Sequence, residues 1–289
     1  MIDRTLTLHT MLEHGEVLHK AKICEKYGIS EKSFQRDIAF LRSYVGSGRD
    51  IVYDRQAKVY RLVGKKDSLT AQEILGILKI LVESRSLCAE EFGSIYEKLL
   101  AILPKESKDL VRDTVINECG NYLPVSHNKP LLDTLWKLAE LKQKQVIIEI
   151  DYTRQDGTAK THRVKPIGLL FSEFYFYLIG YVEGKTDFSV FRLDKISRVK
   201  GTKERFDVEY ADRFQEAEFR KRIQWMYTGK LEKVRFYYTG ADVTAILDRL
   251  PTAVIEEEAD GKYLISAEVY TGLGFDMWVR SQGEKIKIL

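Results

Sequence analysis

Between residues 146 and 205 the sequence places three cations, Arg163, Lys165 and Arg192, among the tyrosines Tyr152, Tyr177 and Tyr181. Phosphate is held by Arg or Lys donors, best by an arginine offering two parallel N–H groups. A base stacks on an aromatic face for about 1 to 3 kcal/mol. Such residues on neighbouring strands suit a nucleotide or a single strand. The same residues allow a plainer use, in which the tyrosines fill a core with their hydroxyls reaching the surface and Arg192 pairs with Asp194. His162 is either a donor to the same ligand or an ordinary surface residue.

A second set lies near the N-terminus. Lys32, Ser33, Gln35 and Arg36 share a segment in which Phe34, Ile38 and Leu41 recur at helical spacing, so one stripe is buried and the polar set, Asp37 included, faces out. Polar and basic side chains on the outer first turns of a helix suit the base edges of a major groove. In this reading Ser33, Gln35 and Arg36 read bases and Lys32 contacts phosphate. Arg55 and Lys58 flank Gln56-Ala57 between two strand-like runs, Ile51 to Asp54 and Val59 to Leu62. That places two cations at a hairpin tip, again suited to phosphate.

Catalytic and metal chemistry find no comparable support. There is no GxxxxGK[ST], HExxH, GxSxG or GxGxxG. His9, His14 and His19 stand at i, i+5 and i+10, which puts them on different helical faces. Cys24, Cys88 and Cys119 form no CxxC pair, against both a disulfide framework and a thiolate metal site. Glu256 to Glu258 reads as a solvated acidic loop before an Asp260-Gly261 turn, and without a turn glycine it is a poor cation cage. The sequence therefore predicts no enzyme, no cofactor and no metal.

The elements that must position these groups follow from pattern. Leu6, Leu8, Met11 and Leu12 predict a helix ending near Gly15, and a shorter one covers about Lys20 to Lys26. After the turn Tyr27-Gly28-Ile29-Ser30, a third helix runs from Glu31 to about Val45, capped by the Ser30 hydroxyl. Thr70-x-x-Glu73 is a capping box before the apolar run Ile74 to Val82, with Ser68 and Leu69 leading in. Residues 91 to 102 and 131 to 144 predict two further amphipathic helices, separated by Pro104, Pro124 and Pro130. From Val146 the period becomes two: Ile148, Ile150 and Tyr152 alternate with Glu149 and Asp151, and Asp156-Gly157 signals a hairpin. Residues 160 to 164, 168 to 171, 175 to 181, 188 to 193 and 196 to 200 are further strand candidates, enough for a small barrel or strongly bent sheet. A helix from Tyr210 to Met226, a strand at 234 to 238, a helix at 242 to 250 and strands at 263 to 270 and 285 to 289 complete an α/β ending.

The 289 residues carry a formal charge of only +3. Divided along the chain this becomes +5 for residues 1 to 66, −2 for 67 to 145, +3 for 146 to 205 and −3 for 206 to 289. Sign asymmetry of this kind suits polyanion surfaces on the two basic segments. With 44% hydrophobic and 31% charged residues the composition is that of a folded soluble chain, and no apolar run approaches the roughly 20 residues of a membrane span. The first residues lack a signal-peptide pattern, so the expected location is cytoplasmic.

Three helices followed by a basic hairpin resemble the winged helix-turn-helix of bacterial transcription regulators of the DeoR type. Arg163-Val-Lys-Pro-Ile-Gly-Leu-Leu170, Phe176-Tyr-Leu-Ile-Gly-Tyr181 and Phe191-Arg-Leu-Asp-Lys-Ile196 resemble, in order, the signature of the WYL domain family, with Phe176 where the namesake tripeptide has Trp. Met277-Trp-Val-Arg280 and the residues to Leu289 are similar to the end of the WCX extension that often follows WYL domains. The resemblance implies an α+β multidomain chain: a winged helix-turn-helix (1–66), a helical linker (67–145), an Sm-like WYL β-barrel (146–205) and a helix with a small α/β WCX-like extension (206–289). It further implies a DNA-binding regulator, here a repressor and homodimer, that binds a double-stranded operator and senses a nucleotide or single-stranded nucleic acid. Matched to the family's Arg-x-Asp motif, Arg192 is a ligand contact, alongside Tyr152, Arg163, Lys165, Tyr177 and Tyr181. Arg280 either reaches toward the WYL pocket or is a solvated helix-end arginine. The alternative function is a single-stranded nucleic-acid binding or adaptor protein in which the N-terminal segment only dimerises or docks.

Overall fold

The structure, a computed structural model, describes residues 2–45, 49–64, 69–207 and 214–289. The chain forms two compact units, residues 1–79 with 95–120 and residues 80–94 with 121–289.

The first unit opens with α1 (Ile2–Glu13), α2 (Lys20–Tyr27) and α3 (Glu31–Tyr44), followed by a hairpin of β1 (Arg49–Asp54) and β2 (Val59–Gly64). Gly28 closes α2 in the left-handed region at φ 59°, and Ser30 caps α3 by accepting the Ser33 N–H at 3.3 Å. Phe34, Ile38 and Leu41 are fully buried against Leu8, Leu12 and Ile51, as the spacing requires. Asp37 departs from expectation. It is buried rather than outward-facing, because its carboxylate receives the Arg4 guanidinium of α1 through two hydrogen bonds of 2.8 and 3.0 Å. Leu18 pairs with Tyr60 and ties the hairpin to the helices.

Helices α4 (Ala71–Ser84), α5 (Ala89–Ala101) and α6 (Lys105–Gly120) follow. The capping box forms as read: the Thr70 N–H reaches Glu73 Oε2 at 2.7 Å, and the Glu73 N–H returns to Thr70 Oγ1 at 3.3 Å. Ser68 lies outside the described residues. Helix α6 was not expected. Its sequence is strongly polar and only Val111 and Val115 are buried, so it presents too thin a stripe for periodicity to reveal.

In the second unit α7 (Leu132–Gln143) packs on a five-stranded antiparallel sheet of β3 (Val146–Thr153), β4 (Ala159–Ser172), β5 (Tyr175–Val182), β6 (Phe188–Arg192) and β7 (Ile196–Arg205), ordered β6-β5-β4-β3-β7. The two runs read separately at 160 to 164 and 168 to 171 are one strand, β4, whose pairing shifts register between Pro166 and Gly168. The sheet is not a closed barrel, since β6 and β7 form no ladder among the described residues. It is nonetheless strongly curled. Edge strands of a flat five-stranded sheet lie about 19 Å apart, yet only residues 193–195 join β6 to β7, and Tyr152 of β3 touches Phe191 of β6 at 5.1 Å between ring centres.

The C-terminal part contains α8 (Glu216–Arg222), β8 (Leu231–Tyr238), α9 (Thr244–Arg249), β9 (Val254–Ala259), β10 (Lys262–Tyr270), α10 (Leu273–Ser281) and β11 (Ile286–Ile288), with sheet order β11-β8-β10-β9. The helix expected from Tyr210 to Met226 covers only α8; positions 210–213 lie outside the described residues, and 224–227 form a turn. Glu256 to Glu258 are not a loop but part of the edge strand β9, where Glu256 accepts from Arg235 at 2.8 Å. Charged residues are a usual guard on an exposed edge. Among the described residues no helix is long and apolar enough to cross a membrane.

Candidate functional site

An open groove of about 1250 Å³ lies along the curled sheet and is completed by residues 225–228. Arg192, at the end of β6, lines it. Arg192 Nε and Nη2 reach the two oxygens of the buried Asp194 at 3.0 and 2.8 Å. The guanidinium carbon also stands over the Tyr175 ring, 3.4 Å from its centre. The ion pair and the ring together hold it in place. Three of its five N–H groups remain beyond the two used by Asp194, which is the geometry needed to receive a further anion. The plainer reading of Arg192 as the partner of Asp194 is therefore true, and it is compatible with Arg192 lining the groove.

Tyr152 and Tyr177 line the same groove. Tyr152 is half-buried, edge-on to Phe191 and His162, and hydrogen-bonded to the Arg192 backbone; burial raises its hydroxyl pKa. Tyr177 stands opposite Arg192 in the β5–β6 ladder, but its ring packs with Phe219, Ile223 and Met226, and burial pushes its pKa up to about 12. It is thus mainly a core residue with one edge on the groove. His162 is buried in the groove wall; burial and then the cations Lys160, Lys185 and Arg154 hold its pKa below the ordinary value. The groove wall carries the cations Arg154, Lys185, Arg192 and Lys195 together with the carboxylates Asp156, Glu173 and Asp187.

The other residues expected at this site lie elsewhere. Arg163 points away from the groove to Glu204 and Glu183. Lys165 is exposed and sits opposite the exposed Tyr181 across the β4–β5 ladder. Arg280 is exposed in the last turn of α10. None of these four lines the groove. Tyr175, Lys185, Lys195 and Trp225 do, and sequence reasoning did not select them. Tyr175 had a readable signal, since it shares strand parity with Tyr177. Trp225 had none, because residues 225 and 226 reach the groove through a tight turn with both φ positive, at 49° and 58°. The close approach of Gly274 to the Gln224 carbonyl holds that turn: a Cβ at 274 would stand 2.2 Å from the oxygen. Among the described residues no group of three or more His, Cys, Asp or Glu is placed to hold a metal ion.

In the first unit Lys32, Gln35 and Arg36 are exposed on α3, with Lys32 and Arg36 one turn apart. Arg55 and Lys58 are exposed at the hairpin tip, whose shape is set by Asp54 accepting the Gln56 and Ala57 N–H groups at 3.0 Å. Lys32, Arg36, Arg55 and Lys58 make no ion pair among the described residues, whereas Lys20, Arg42 and Arg61 pair with Glu31, Asp50 and Asp54. Ser33 is half-buried beside Ser30, and the Gln35 amide donates to the Tyr60 hydroxyl at 2.7 Å.

A sequence model of the WYL domain matches residues 133–200, the span from α7 into β7. Among solved structures, the Proteasome accessory factor B/C of Arthrobacter aurescens is 18% identical over 99% of this chain and 43% of its own, with a TM-score of 0.33. A CRISPR Cas-related protein is 11% identical over 78% of this chain and 70% of its own, with a TM-score of 0.37. This chain thus spans less than half the length of the first. No curated protein matches the chain. With the Phe176-Tyr177-Leu178 run and the Arg192–Asp194 pair both inside the matched span, residues 133–200 form a WYL domain.

Proposed function

We propose that this chain is a DNA-binding transcription regulator, a repressor acting as a cytoplasmic homodimer, whose WYL groove senses a nucleotide or single-stranded nucleic acid. The observation that carries the reading is Arg192, fixed by Asp194 and Tyr175 with N–H groups to spare in a groove of tyrosines, Trp225 and further cations. The cations supply phosphate donors and the rings supply stacking faces. The groove exceeds the roughly 300 to 1,000 Å³ of a drug-sized pocket, which favours more than one nucleotide.

The first unit supports the duplex-binding half. Its three helices and hairpin have the element order of a winged helix-turn-helix, and four cations on α3 and the hairpin tip are exposed and uncommitted among the described residues. A homodimer would bring two α3 helices to half-sites about 34 Å apart. The chain carries no catalytic role in this reading.

Gel shifts with DNA from upstream of the chain's own reading frame test the reading. With about six phosphates neutralised, affinity should fall roughly 1000-fold between about 50 and 200 mM salt. Salt-insensitive or absent binding would refute it.

A further inference from the structure

The residues between α6 and α7 make a strap that touches both the groove and α5. On the groove side, Lys129 Nζ donates to the Asp194 carbonyl at 2.7 Å, and the His127 ring stands 6.4 Å from that of Tyr175. Asp194 and Tyr175 are the two residues that fix Arg192. On the α5 side, Asn128 Oδ1 accepts the N–H of Ala89, the first residue of α5, at 3.0 Å. Glu91 of α5 returns the contact: its Oε1 accepts the Leu131 and Leu132 N–H groups at 2.9 and 2.8 Å, capping α7, whose own N-cap residue offers no side-chain bond. Within the strap the Lys129 N–H donates to His127 Nδ1 at 2.9 Å.

Two of these groups are left incomplete. His127 Nε2 and Glu91 Oε2 are buried without a hydrogen-bond partner. Because Nδ1 accepts, the proton of the neutral imidazole sits on Nε2, so the unpaired atom is a donor. A buried polar atom left unpaired is destabilising, which a segment with a single resting arrangement has no reason to retain.

We propose that the strap His127–Leu132 couples occupancy of the groove at Arg192 to α5, with Lys129 as the positioning residue that carries the link. The inference rests on the reading of the groove given above and adds how that site is regulated. An anion taken up by the N–H groups that Asp194 leaves free draws the guanidinium toward the groove and loosens its hold on Asp194. Asp194 holds Arg192 through its side chain and Lys129 through its carbonyl, so a shift of Asp194 moves the strap, and the strap sets the first turns of both α5 and α7. Coupling requires the ligand to bind the two strap arrangements unequally.

The test uses the full chain and oligo(dT) of about ten nucleotides, within the usual span of a single-strand site. Binding is read by anisotropy, and the strap by amide hydrogen exchange at Ala89, Leu131 and Leu132. In the wild type the oligonucleotide should change exchange at these amides about fivefold or more, the lower end of ordinary coupling. Lys129→Met should keep oligonucleotide binding but lose the exchange change, and Lys129→Arg, which retains a donor for the Asp194 carbonyl, should restore it. Asn128→Gly supplies an independent check if Lys129→Met misfolds. Residue 128 has φ 42°, which glycine adopts freely, so the fold is kept and only the acceptor for Ala89 is lost. In that variant the change at Ala89 should vanish while that at Leu131 and Leu132 persists. An unchanged response in Lys129→Met, or in Asn128→Gly at Ala89, overturns the coupling while leaving the groove reading intact. Failure of the wild type to bind oligo(dT) overturns the groove reading and this inference with it.

Discussion

Removing Arg192 should unsettle the WYL sheet more than loss of an ordinary surface cation, and the geometry sets the size. Asp194 is only 6% exposed, so Arg192→Ala leaves a buried carboxylate without its partner. The lost interactions are two charge-assisted hydrogen bonds of 3.0 and 2.8 Å and one cation–ring contact. Breaking a buried pair costs about 3 to 5 kcal/mol. Because the Arg192 side chain keeps 23% of its exposure, the low end applies, about 3 kcal/mol. Asp194→Asn removes the stranded charge, so the double variant Arg192→Ala/Asp194→Asn should recover about half of the loss, and with the cost of Asp194→Asn alone added the coupling energy is at least about 1.5 kcal/mol. Urea unfolding followed by tryptophan emission measures this selectively, because all three tryptophans, Trp136, Trp225 and Trp278, lie in the unit that holds the sheet. A coupling below about 0.5 kcal/mol, the level of an exposed surface pair, would refute the claim that Asp194 and Arg192 form a buried, mutually fixing unit.

Three further outcomes are expected. Thr70→Ala removes one half of the capping box of α4 and should cost about 1 kcal/mol, measured by urea unfolding followed by far-ultraviolet circular dichroism. Arg36→Ala should relax sequence preference on duplex DNA, whereas Lys58→Ala should weaken all sequences alike and lower the salt slope by about 0.9, both read by gel shift. Tyr177, with its hydroxyl pKa raised from 10.0 to about 12 by burial, binds its proton more tightly folded than unfolded. Its contribution is therefore complete below pH 10 and is lost as pH rises toward 12, on the order of 2 kcal/mol. Tyr177→Phe should remove that alkaline loss in a pH series of unfolding curves.

Local signals carried far into this fold. The Ser30 cap, the Thr70–Glu73 box, the Phe34, Ile38 and Leu41 stripe and the Asp156-Gly157 hairpin each involve residues a few positions apart, where propensity and spacing decide the outcome. Arg192 was legible as a groove residue because its motif neighbours are adjacent in sequence. The misses share a different physics. Asp37 is buried only because Arg4, 33 positions earlier, neutralises it. Glu256 to Glu258 adopt a strand because β10 lends them a partner, against their own composition. The strap contacts of Glu91, Asn128 and Lys129 join positions 39 to 65 apart, and no period in the sequence reports such a meeting. Arg163 and Lys165 share the strand face opposite His162 and Val164, and the parity of β4 had already determined that they could not join Tyr152 in the groove.

The central claim is that single-stranded nucleic acid binds at Arg192 and duplex DNA at α3 and the hairpin tip, as separate surfaces. Anisotropy titration of labelled oligo(dT) of about ten nucleotides with the full chain tests it most directly. Loss of a charge-assisted contact of this kind weakens binding by about 1.5 to 3 kcal/mol, roughly 10-fold or more. The account predicts that weakening for Arg192→Ala and unchanged affinity for Arg36→Ala and Lys58→Ala. Equal weakening in all three variants, or none in Arg192→Ala, would contradict it.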